Sequence, residues 1–337
     1  TRTARCWSPL RAICLDWKIT SRMTRVPLLR IGTRRSPLAV WQAERVRTLL
    51  NAQHPTLTVE LVFFTTRGDR ELARPLPEIG GKGLFTQELE EALRNGEIDF
   101  AAHSLKDLPT ALAADFALGA ILPRANPFDA LVSRGGHTLA TLPPGATVGT
   151  SSLRRSAQLL AYRRDLRIEL LRGNVDTRLH KALDPAGPYD AIVLAAAGLD
   201  RLGYSERISE VIDREVMLPA PGQGAVAVQC RADDTRALEL LAALDHPATR
   251  HAVTAERAFL QQLDAGCRLP VSAHATLDGH DLRLTGRVSD LEGTQTITLH
   301  GVAPAGEAHA LGVRLAEQAL AQGADALLST VRGEISP

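Results

Sequence analysis

The chain has 337 residues, of which 45% are hydrophobic and 23% are charged. These percentages are typical of an ordinary globular protein. The length indicates two or three domains. No apolar run approaches the roughly 20 residues that a membrane-spanning helix requires, so we expect no membrane contact. Aromatic residues are scarce at 4%, which disfavours the base-stacking surfaces of proteins that bind single-stranded nucleic acids.

The net charge of +1 is unevenly distributed. Residues 1–23 hold five basic side chains against Asp16, a local charge of +4, so the rest of the chain carries −3. A slightly acidic protein with a local arginine cluster suits a small anionic ligand better than nucleic acid, which requires a basic face. We interpret residues 1–23 as an unstructured extension, or as upstream sequence before a start at Met23. An organellar transit peptide is the alternative, because such segments are rich in arginine and poor in acids.

Strands and helices alternate from residue 27 onward. Ser36 followed by Pro37 is typical of a helix start. The alternation predicts an α/β fold, in which parallel strands bring ligand-binding residues together at their carboxyl ends. The predicted elements are strands at 27–31, 57–65 and 99–103, helices at 37–50 and 86–95, and a turn at 32–35.

The most unusual stretch runs from Thr150 to Arg178 and contains seven arginines and no lysine. Its pattern predicts a strand that ends at Gly149, a helix at 153–162 capped by hydroxyl side chains, and a second strand and helix start. Helix N-termini bind anions, and guanidinium groups pair with carboxylates or phosphates through two hydrogen bonds. The stretch therefore predicts a polyanion site. The alternative is that its arginines cover solvated helix faces, which fits those at 163, 164 and 167 best.

The last third of the chain changes pattern. A proline- and glycine-rich crossing at 218–224 is followed by a strand at 225–230. Beyond it, a helix at 249–263, three alternating strands and a helix at 308–321 predict a separate α+β domain. The three strands are predicted at 272–277, 281–289 and 294–301. None of the four cysteines stands in a C-x-x-C pair, so we predict neither a metal site nor a disulfide framework.

Nine stretches together resemble the porphobilinogen deaminase family, whose members are also called hydroxymethylbilane synthases. They occur in the family's order and spacing from about residue 28 to the C-terminus. One departure is Ala265, where glycine is expected before Gly266 and Cys267. The stretches are RIGTRRSPLA (30–39), VFFTTRGD (62–69), GGKGLF (80–85), AAHSLKDLP (101–109), GTSSLRR (149–155), LRGNVDTRL (171–179), AAAGLDRLG (195–203), LPAPGQGA (218–225) and GCRLP (266–270).

The resemblance implies a transferase of tetrapyrrole biosynthesis, the route to haem, chlorophyll and cobalamin. Such an enzyme joins four porphobilinogen molecules into linear hydroxymethylbilane and releases ammonia at each step. The resemblance also implies a dipyrromethane cofactor held through a thioether, which motif position assigns to Cys267. Cys230 lies in an apolar strand and is expected to be buried and inert. Asp107 is implied to be the catalytic carboxylate that stabilises cationic pyrroles and moves protons.

Further site residues follow from the motif positions. From the residues alone, Arg34, Lys106 and Arg201 would be interpreted as surface charges. The side chains implied to bind the cofactor are Lys106, Ser152, Arg154, Arg155, Arg172 and Arg178. Those implied to bind the substrate are Arg34, Ser36, Arg201 and Gln223. Residues 80–84 resemble a mobile lid over the site.

The implied fold has two periplasmic-binding-protein-like lobes with mixed, mostly parallel sheets, and a smaller α+β C-terminal domain with a three-stranded antiparallel sheet. We predict lobe 1 at 24–122 and 225–242, lobe 2 at 128–219, and the C-terminal domain at 247–337. We also predict a cytoplasmic monomer that binds no nucleic acid and hands its product to uroporphyrinogen-III synthase. An organellar location would follow only if residues 1–22 were a genuine transit peptide.

Two other functions compete with the enzyme. A two-lobed protein of this kind could capture a small anion without catalysis, but Cys267 would then have no role and export would require a signal. A nucleic-acid-binding protein is the third interpretation, which the acidic remainder of the chain and the scarcity of aromatic residues disfavour. A steep salt dependence of DNA binding would favour it again.

Overall fold

The computed structural model describes residues 28–70, 83–265 and 269–335. Three β-sheets organise these residues, two with five strands and one with three. The predicted extension at 1–23, residues 80–82 of the predicted lid, and Cys267 lie outside the described residues.

The described strands and helices follow one another as an α/β chain and then as an α+β chain. The strands are β1 (Leu28–Arg34), β2 (Thr58–Phe64), β3 (Phe100–Ser104), β4 (Phe116–Ile121), β5 (Asp129–Ser133), β6 (Thr147–Gly149), β7 (Arg167–Glu169), β8 (Ala191–Ala195), β9 (Glu210–Val211), β10 (Val226–Arg231), β11 (Val271–Asp278), β12 (Asp281–Ser289) and β13 (Thr296–Pro304). The helices are α1 (Pro37–Gln53), α2 (Arg67–Arg70), α3 (Gln87–Arg94), α4 (Leu153–Tyr162), α5 (Val175–Leu183), α6 (Ala196–Arg201), α7 (Thr235–Ala242), α8 (Pro247–Gln262), α9 (Ala308–Ala321) and α10 (Ala324–Ile335). None of these described helices has the length and apolarity needed to cross a membrane.

The two five-stranded sheets share one topology. Their strand orders are β2-β1-β3-β10-β4 in lobe 1 and β7-β6-β8-β5-β9 in lobe 2. In each sheet four strands run in one direction, and the fourth position is taken by a strand antiparallel to both neighbours, β10 or β5. This confirms the predicted α/β class with mixed, mostly parallel sheets.

Each of these antiparallel strands, β5 and β10, comes directly after a segment in which the chain crosses from one sheet to the other. We call residues 122–128, which lead from β4 into β5, the first crossing segment. Residues 212–225, which lead from β9 into β10, are the second crossing segment. Each lobe therefore receives one strand directly from a crossing, so both crossings are anchored at their ends in a sheet.

The predicted turn at 32–35 is wrong, because β1 continues through Arg34. Gly32 pairs with Val62 of β2 and with Ala101 of β3, inside the sheet. A β-carbon at Gly32 would lie 2.4 Å from the side chain of Ile98. Glycine at this position therefore permits close packing over a continuous strand, where the sequence alone favoured a turn.

The C-terminal unit is the predicted three-stranded antiparallel sheet, in the order β11-β12-β13. One face of this sheet packs on α8 and α9, with Phe259, Leu284 and Leu311 in the shared core. The opposite face carries the alternate side chains of the strands, which are largely polar. A further helix, α10, follows the helix that was predicted to end the fold.

One buried carboxylate joins the two crossing segments to this C-terminal unit. Glu256 of α8 has no exposed surface. It accepts hydrogen bonds from Nη1 of Arg124 at 2.6 Å, from the backbone N–H of Gly222 at 2.7 Å, and from that of Ala275 at 2.7 Å. These donors lie on the first crossing segment, the second crossing segment and β11. Glu256 therefore fixes the junction of three parts of the fold.

We predict that Glu256→Gln lowers the free energy of unfolding by about 3–5 kcal/mol, because it leaves a mostly buried guanidinium without its counter-charge. Urea denaturation of the purified protein measures the change. The matched control is Glu44→Gln, which breaks a half-exposed pair with Arg47 and should cost less than about 1 kcal/mol. Equal losses in the two variants would contradict the role of Glu256.

Candidate functional site

The predicted site residues follow the carboxyl ends of strands in both lobes. In lobe 1, β1 ends at Arg34, and β3 leads into a single helical turn, Leu105–Asp107. In lobe 2, β6 and β7 lead into helices whose N-caps are Ser152 and Asn174. Among these strands, β1 and β6 occupy the same position in the two sheets, and the carboxyl ends of parallel strands are the usual place for a ligand in such folds.

A buried carboxylate that the sequence did not reveal lies at the centre of the site. Asp129 begins β5, has no exposed surface, and accepts hydrogen bonds from Nη1 of Arg154 at 2.8 Å and Nη2 of Arg155 at 2.7 Å. Burial alone would raise the pKa of Asp129, but the two guanidinium groups outweigh it and hold the pKa well below the usual range. Asp129 is therefore an anion that positions two predicted cofactor-binding arginines.

Gln223 connects this carboxylate to the other lobe. Its amide nitrogen donates to Asp129 at 3.0 Å and to the carbonyl of Pro127 at 2.7 Å, and its amide oxygen accepts from Nζ of Lys106 at 3.2 Å. Lys106 lies in lobe 1, Gln223 in the second crossing segment and Asp129 at the start of lobe 2. A chain of hydrogen bonds therefore runs from one lobe to the other through a crossing.

The side-chain amine of Lys106 has a lowered pKa. Burial lowers its pKa to about 8, and the nearby charges of Arg155 and Arg154 act in the same direction. Asp107 and Asp129 oppose this shift by stabilising the ammonium form. The amine is thus a cation at neutral pH that would gain from a further anion beside it.

Two guanidinium groups near the interlobe boundary form no ion pair within the described residues. Arg178 donates to the carbonyl of Gly173 at 2.8 Å, and Arg201 donates to the carbonyl of Gly224 at 2.7 Å. Within the described residues neither forms an ion pair, and Nε of Arg201 is buried without a hydrogen bond. Burial lowers the pKa of each to about 10. Such partly desolvated cations suit an anionic ligand.

Arg178 of lobe 2 interacts electrostatically with charged groups of both lobes. Arg155 and Arg172 depress the pKa of Arg178, whereas Asp107 raises it. Burial also lowers the pKa of Arg172. The structure therefore brings together, across the two lobes, a group of charged residues predicted from the motifs: Lys106, Asp107, Arg154, Arg155, Arg172 and Arg178.

Asp107 and Ser36 line a small concavity of about 70 Å³ at the carboxyl ends of β1 and β3. Within the described residues, the Asp107 carboxylate and the Ser36 hydroxyl make no hydrogen bond to the protein, so both can reach a ligand. Arg34 also lines this concavity, but it is held in place by an ion pair with Asp69 and by stacking over Phe85 at 4.2 Å. His103 is another lining residue, and burial lowers the pKa of its imidazole to about 4.

Ser152 has a local structural role. Its hydroxyl accepts from the backbone N–H of Arg155 at 3.5 Å and so caps α4. This orients the first turn of the helix, which carries Arg154 and Arg155.

Arg201 stacks on Trp41 at 5.2 Å, so α6 of lobe 2 contacts α1 of lobe 1.

Sequence analysis missed Asp129, Arg124 and Glu256, which hold the site together. One signal in the sequence could have indicated Asp129. This acidic residue directly precedes a short apolar run, ALV at 130–132. Two arginines expected at a buried helix start require a buried carboxylate. The sequence does not indicate which of the acidic residues supplies it.

The residues present fit a ligand with several carboxylates. The dipyrromethane implied by the resemblance carries acetate and propionate groups, and Arg178 and Arg201 offer guanidinium groups that form no ion pair within the described residues. The buried, unpaired Nε of Arg201 is a donor that such a ligand could satisfy.

Comparison with known proteins gives matches over most of the chain. Residues 29–239 match the family model "Porphobilinogen deaminase, dipyromethane cofactor binding domain". Residues 251–321 match the model "Porphobilinogen deaminase, C-terminal domain".

Curated relatives and solved structures complete the comparison. Porphobilinogen deaminase of Syntrophotalea carbinolica is 51% identical over 92% of this chain and 97% of its own length, and that of Roseiflexus castenholzii is 52% identical over 89% and 98%. The methionine binding protein MetQ matches 64% of this chain and 88% of its own, with a TM-score of 0.40 and 16% identity. A methionine-bound nutrient binding protein of Burkholderia cenocepacia matches 66% and 93%, with a TM-score of 0.40 and 15% identity. The family models and curated relatives establish that the chain belongs to the porphobilinogen deaminase family.

Proposed function

We propose that the site between the lobes carries out the family's reaction, with Asp107 as the catalytic carboxylate. The chain is a transferase of tetrapyrrole biosynthesis that acts on porphobilinogen and has a dipyrromethane cofactor binding domain. The observation that carries the assignment of residues is an electrostatic contact between the lobes: Arg178 of lobe 2 forms no ion pair within the described residues, and the Asp107 carboxylate of lobe 1 acts on its guanidinium against the effect of burial, which lowers the pKa of that group.

The cofactor would be held by a covalent bond and by ionic contacts. When bound, dipyrromethane supplies a pyrrole carbon as the nucleophile for chain elongation. We propose Cys267 as its thioether anchor, on motif position. Cys230 is unsuited, since it has no exposed surface and burial raises the pKa of its thiol to about 11.

Cationic side chains would hold the cofactor's carboxylates and set its register. Each charge-assisted hydrogen bond contributes about 1.5–3 kcal/mol. Arg172, Arg178 and Lys106 would contact the carboxylates, whereas Arg154 and Arg155 are engaged by Asp129 and complete the positive field behind them. Ser152 would cap the first turn of α4 and so orient the two arginines that this turn carries.

Asp107 would act on the reacting pyrrole. Loss of ammonia from the substrate's aminomethyl group leaves an electron-poor cation, which an adjacent carboxylate stabilises by its charge. The same carboxylate accepts a hydrogen bond from the pyrrole N–H and assists removal of the proton that restores aromaticity. Its lack of a hydrogen-bond partner within the described residues leaves it available for both steps.

The substrate's own acetate and propionate would meet the remaining predicted residues. Arg34 and Ser36 lie beside Asp107 around the small concavity, where they would orient the incoming pyrrole. Arg201 and Gln223 lie at the interlobe boundary, where Gln223 joins Lys106 to Asp129. A substrate held there would be aligned by both lobes.

Further proposals concern the setting of the enzyme. We propose that lobe 1 comprises residues 24–122 and 225–242, lobe 2 residues 128–219, and the C-terminal domain residues 247–337. The three sheets support this division.

We also propose a cytoplasmic monomer that passes hydroxymethylbilane to uroporphyrinogen-III synthase, because a linear product with a reactive hydroxymethyl end requires prompt cyclisation. The alternative, a binding protein without catalysis, leaves the unpartnered Asp107 carboxylate without a role.

We predict that Asp107→Asn lowers kcat by at least about 100-fold while the cofactor adduct is retained, because the amide keeps the shape of the carboxylate and loses its charge and basicity. Turnover and intact mass are measured on the same preparation. The control is Asp115→Asn, which removes a surface carboxylate paired with Arg94 and should leave kcat within about twofold. A fully active Asp107→Asn enzyme would refute the proposed role.

We predict that Lys106 titrates near pH 8 in the cofactor-free protein and at a higher pH once the cofactor is loaded. The ammonium form is stabilised by the added carboxylates, so the anion raises the pKa of the amine. Carbon-13 NMR of labelled lysines is suitable, because the chain has four lysines and Lys106→Arg identifies the signal. An unchanged pKa on loading would show that Lys106 does not contact the cofactor.

A further inference from the structure

A second concavity lies away from Asp107, between the C-terminal sheet and the second crossing segment. Its volume is about 380 Å³, which is within the range of small-molecule sites, about 300–1,000 Å³. One wall is the polar face of the sheet, opposite the face that packs on α8 and α9. The other wall includes Arg214 and Glu215 of the crossing segment. We call this concavity the sheet cavity.

The sheet cavity has a surplus of positive charge. Arg283 and Arg287 reach it from alternate positions of β12, and Arg214 reaches it from the opposite wall. The ion pairs of Arg214 with Glu215 and of Arg283 with Asp278 are exposed, and exposed pairs are weak. Three guanidinium groups therefore line the cavity with one carboxylate, Glu215.

Arg287 is the most constrained of the three cations. It donates to Oε1 of Gln158 at 2.9 Å and to the backbone carbonyl of Glu215 at 3.2 Å. It forms no ion pair within the described residues, and burial lowers its pKa. The protein thus fixes this guanidinium at the cavity wall by neutral partners and leaves its charge without a direct counter-ion.

A buried histidine adds a second, independent indication of a ligand. His274 of β11 is 8% exposed and lines the cavity. Within the described residues its ring nitrogens make no hydrogen bond, and neither is among the fully buried atoms, so both are available to a ligand in the cavity. Burial lowers its pKa against the opposing effect of Glu256, so the neutral ring offers one donor and one acceptor.

The position of the sheet cavity relates it to both crossing segments. The ring of His274 packs against Phe128 of the first crossing segment, with centroids 5.5 Å apart. Arg214 belongs to the second crossing segment, which continues to Gln223 in the catalytic site. A ligand that joined Arg214 to Arg283 would tie this crossing segment to the C-terminal sheet.

We propose that the sheet cavity binds a small anion that carries at least two carboxylate or phosphate groups. The three separated guanidinium groups match several anionic groups on one molecule, and His274 supplies a further hydrogen bond. The sheet cavity is separate from the function proposed for Asp107, so binding there would not depend on that function. Carboxylates and phosphates share this chemistry, so the two sources are distinguished by experiment.

The test uses the full chain with its cofactor bound, so that the cleft arginines are occupied. Citrate and inorganic pyrophosphate are titrated separately while the histidine ring protons are followed by NMR. The signals of His274 and His300, which both line the cavity, are assigned with His274→Gln and His300→Gln. We expect a saturable shift of both signals with at least one of the two anions.

The decisive variant is Arg214→Gln combined with Arg283→Gln, since both side chains are more than half exposed and their loss should not affect folding. We expect its dissociation constant for the bound anion to rise at least about tenfold. The control combines Arg207→Gln and Arg236→Gln, two exposed arginines outside the cavity, and should bind like the unmodified protein.

Each outcome decides the proposal. Tighter binding of citrate identifies a carboxylate ligand, and tighter binding of pyrophosphate identifies a phosphate ligand; either result supports it. Absence of a shift at His274 and His300 with both anions would overturn it. An equal affinity in the Arg214 and Arg283 double variant would also overturn it.

Discussion

The arrangement of the site depends on the burial of Asp129. A carboxylate without solvent is tolerated only where cations and hydrogen-bond donors surround it, and here Arg154, Arg155 and Gln223 supply them. Gln223 in turn accepts a hydrogen bond from Lys106 of lobe 1. One buried charge therefore fixes two arginines of lobe 2 and links them to lobe 1.

The two crossing segments explain how the few hydrogen bonds around Asp129 can connect both lobes. Each crossing segment ends in an antiparallel strand of the sheet that it enters, so its position is coupled to that sheet. Asp129 is the first residue of β5, and Gln223 lies just before β10. Glu256 accepts hydrogen bonds from Arg124 and Gly222, which lie on the two crossing segments. Two buried carboxylates, Asp129 and Glu256, thus hold residues of the crossings in place.

Local signals in the sequence were sufficient for much of the fold. The helix at 153–162 was predicted with its observed bounds because Ser152 supplies a cap, and the C-terminal sheet was predicted because its strands alternate strictly. The partners of Asp129 could not be predicted in the same way. Arg154 and Gln223 are 25 and 94 residues distant, and no local pattern specifies which acidic residue meets which arginine. The turn expected at 32–35 failed because close packing over Gly32 outweighs the turn preference of glycine.

The proposed function requires a covalently anchored polycarboxylate in the site between the lobes. The most direct measurement is the intact mass of the purified protein, with peptide mapping of its cysteines. We expect an added mass of two pyrrole units, located on Cys267. Cys230, buried and with a raised thiol pKa, should remain unmodified. An unmodified Cys267 after incubation with porphobilinogen, or an adduct on Cys230, would refute the proposed anchoring.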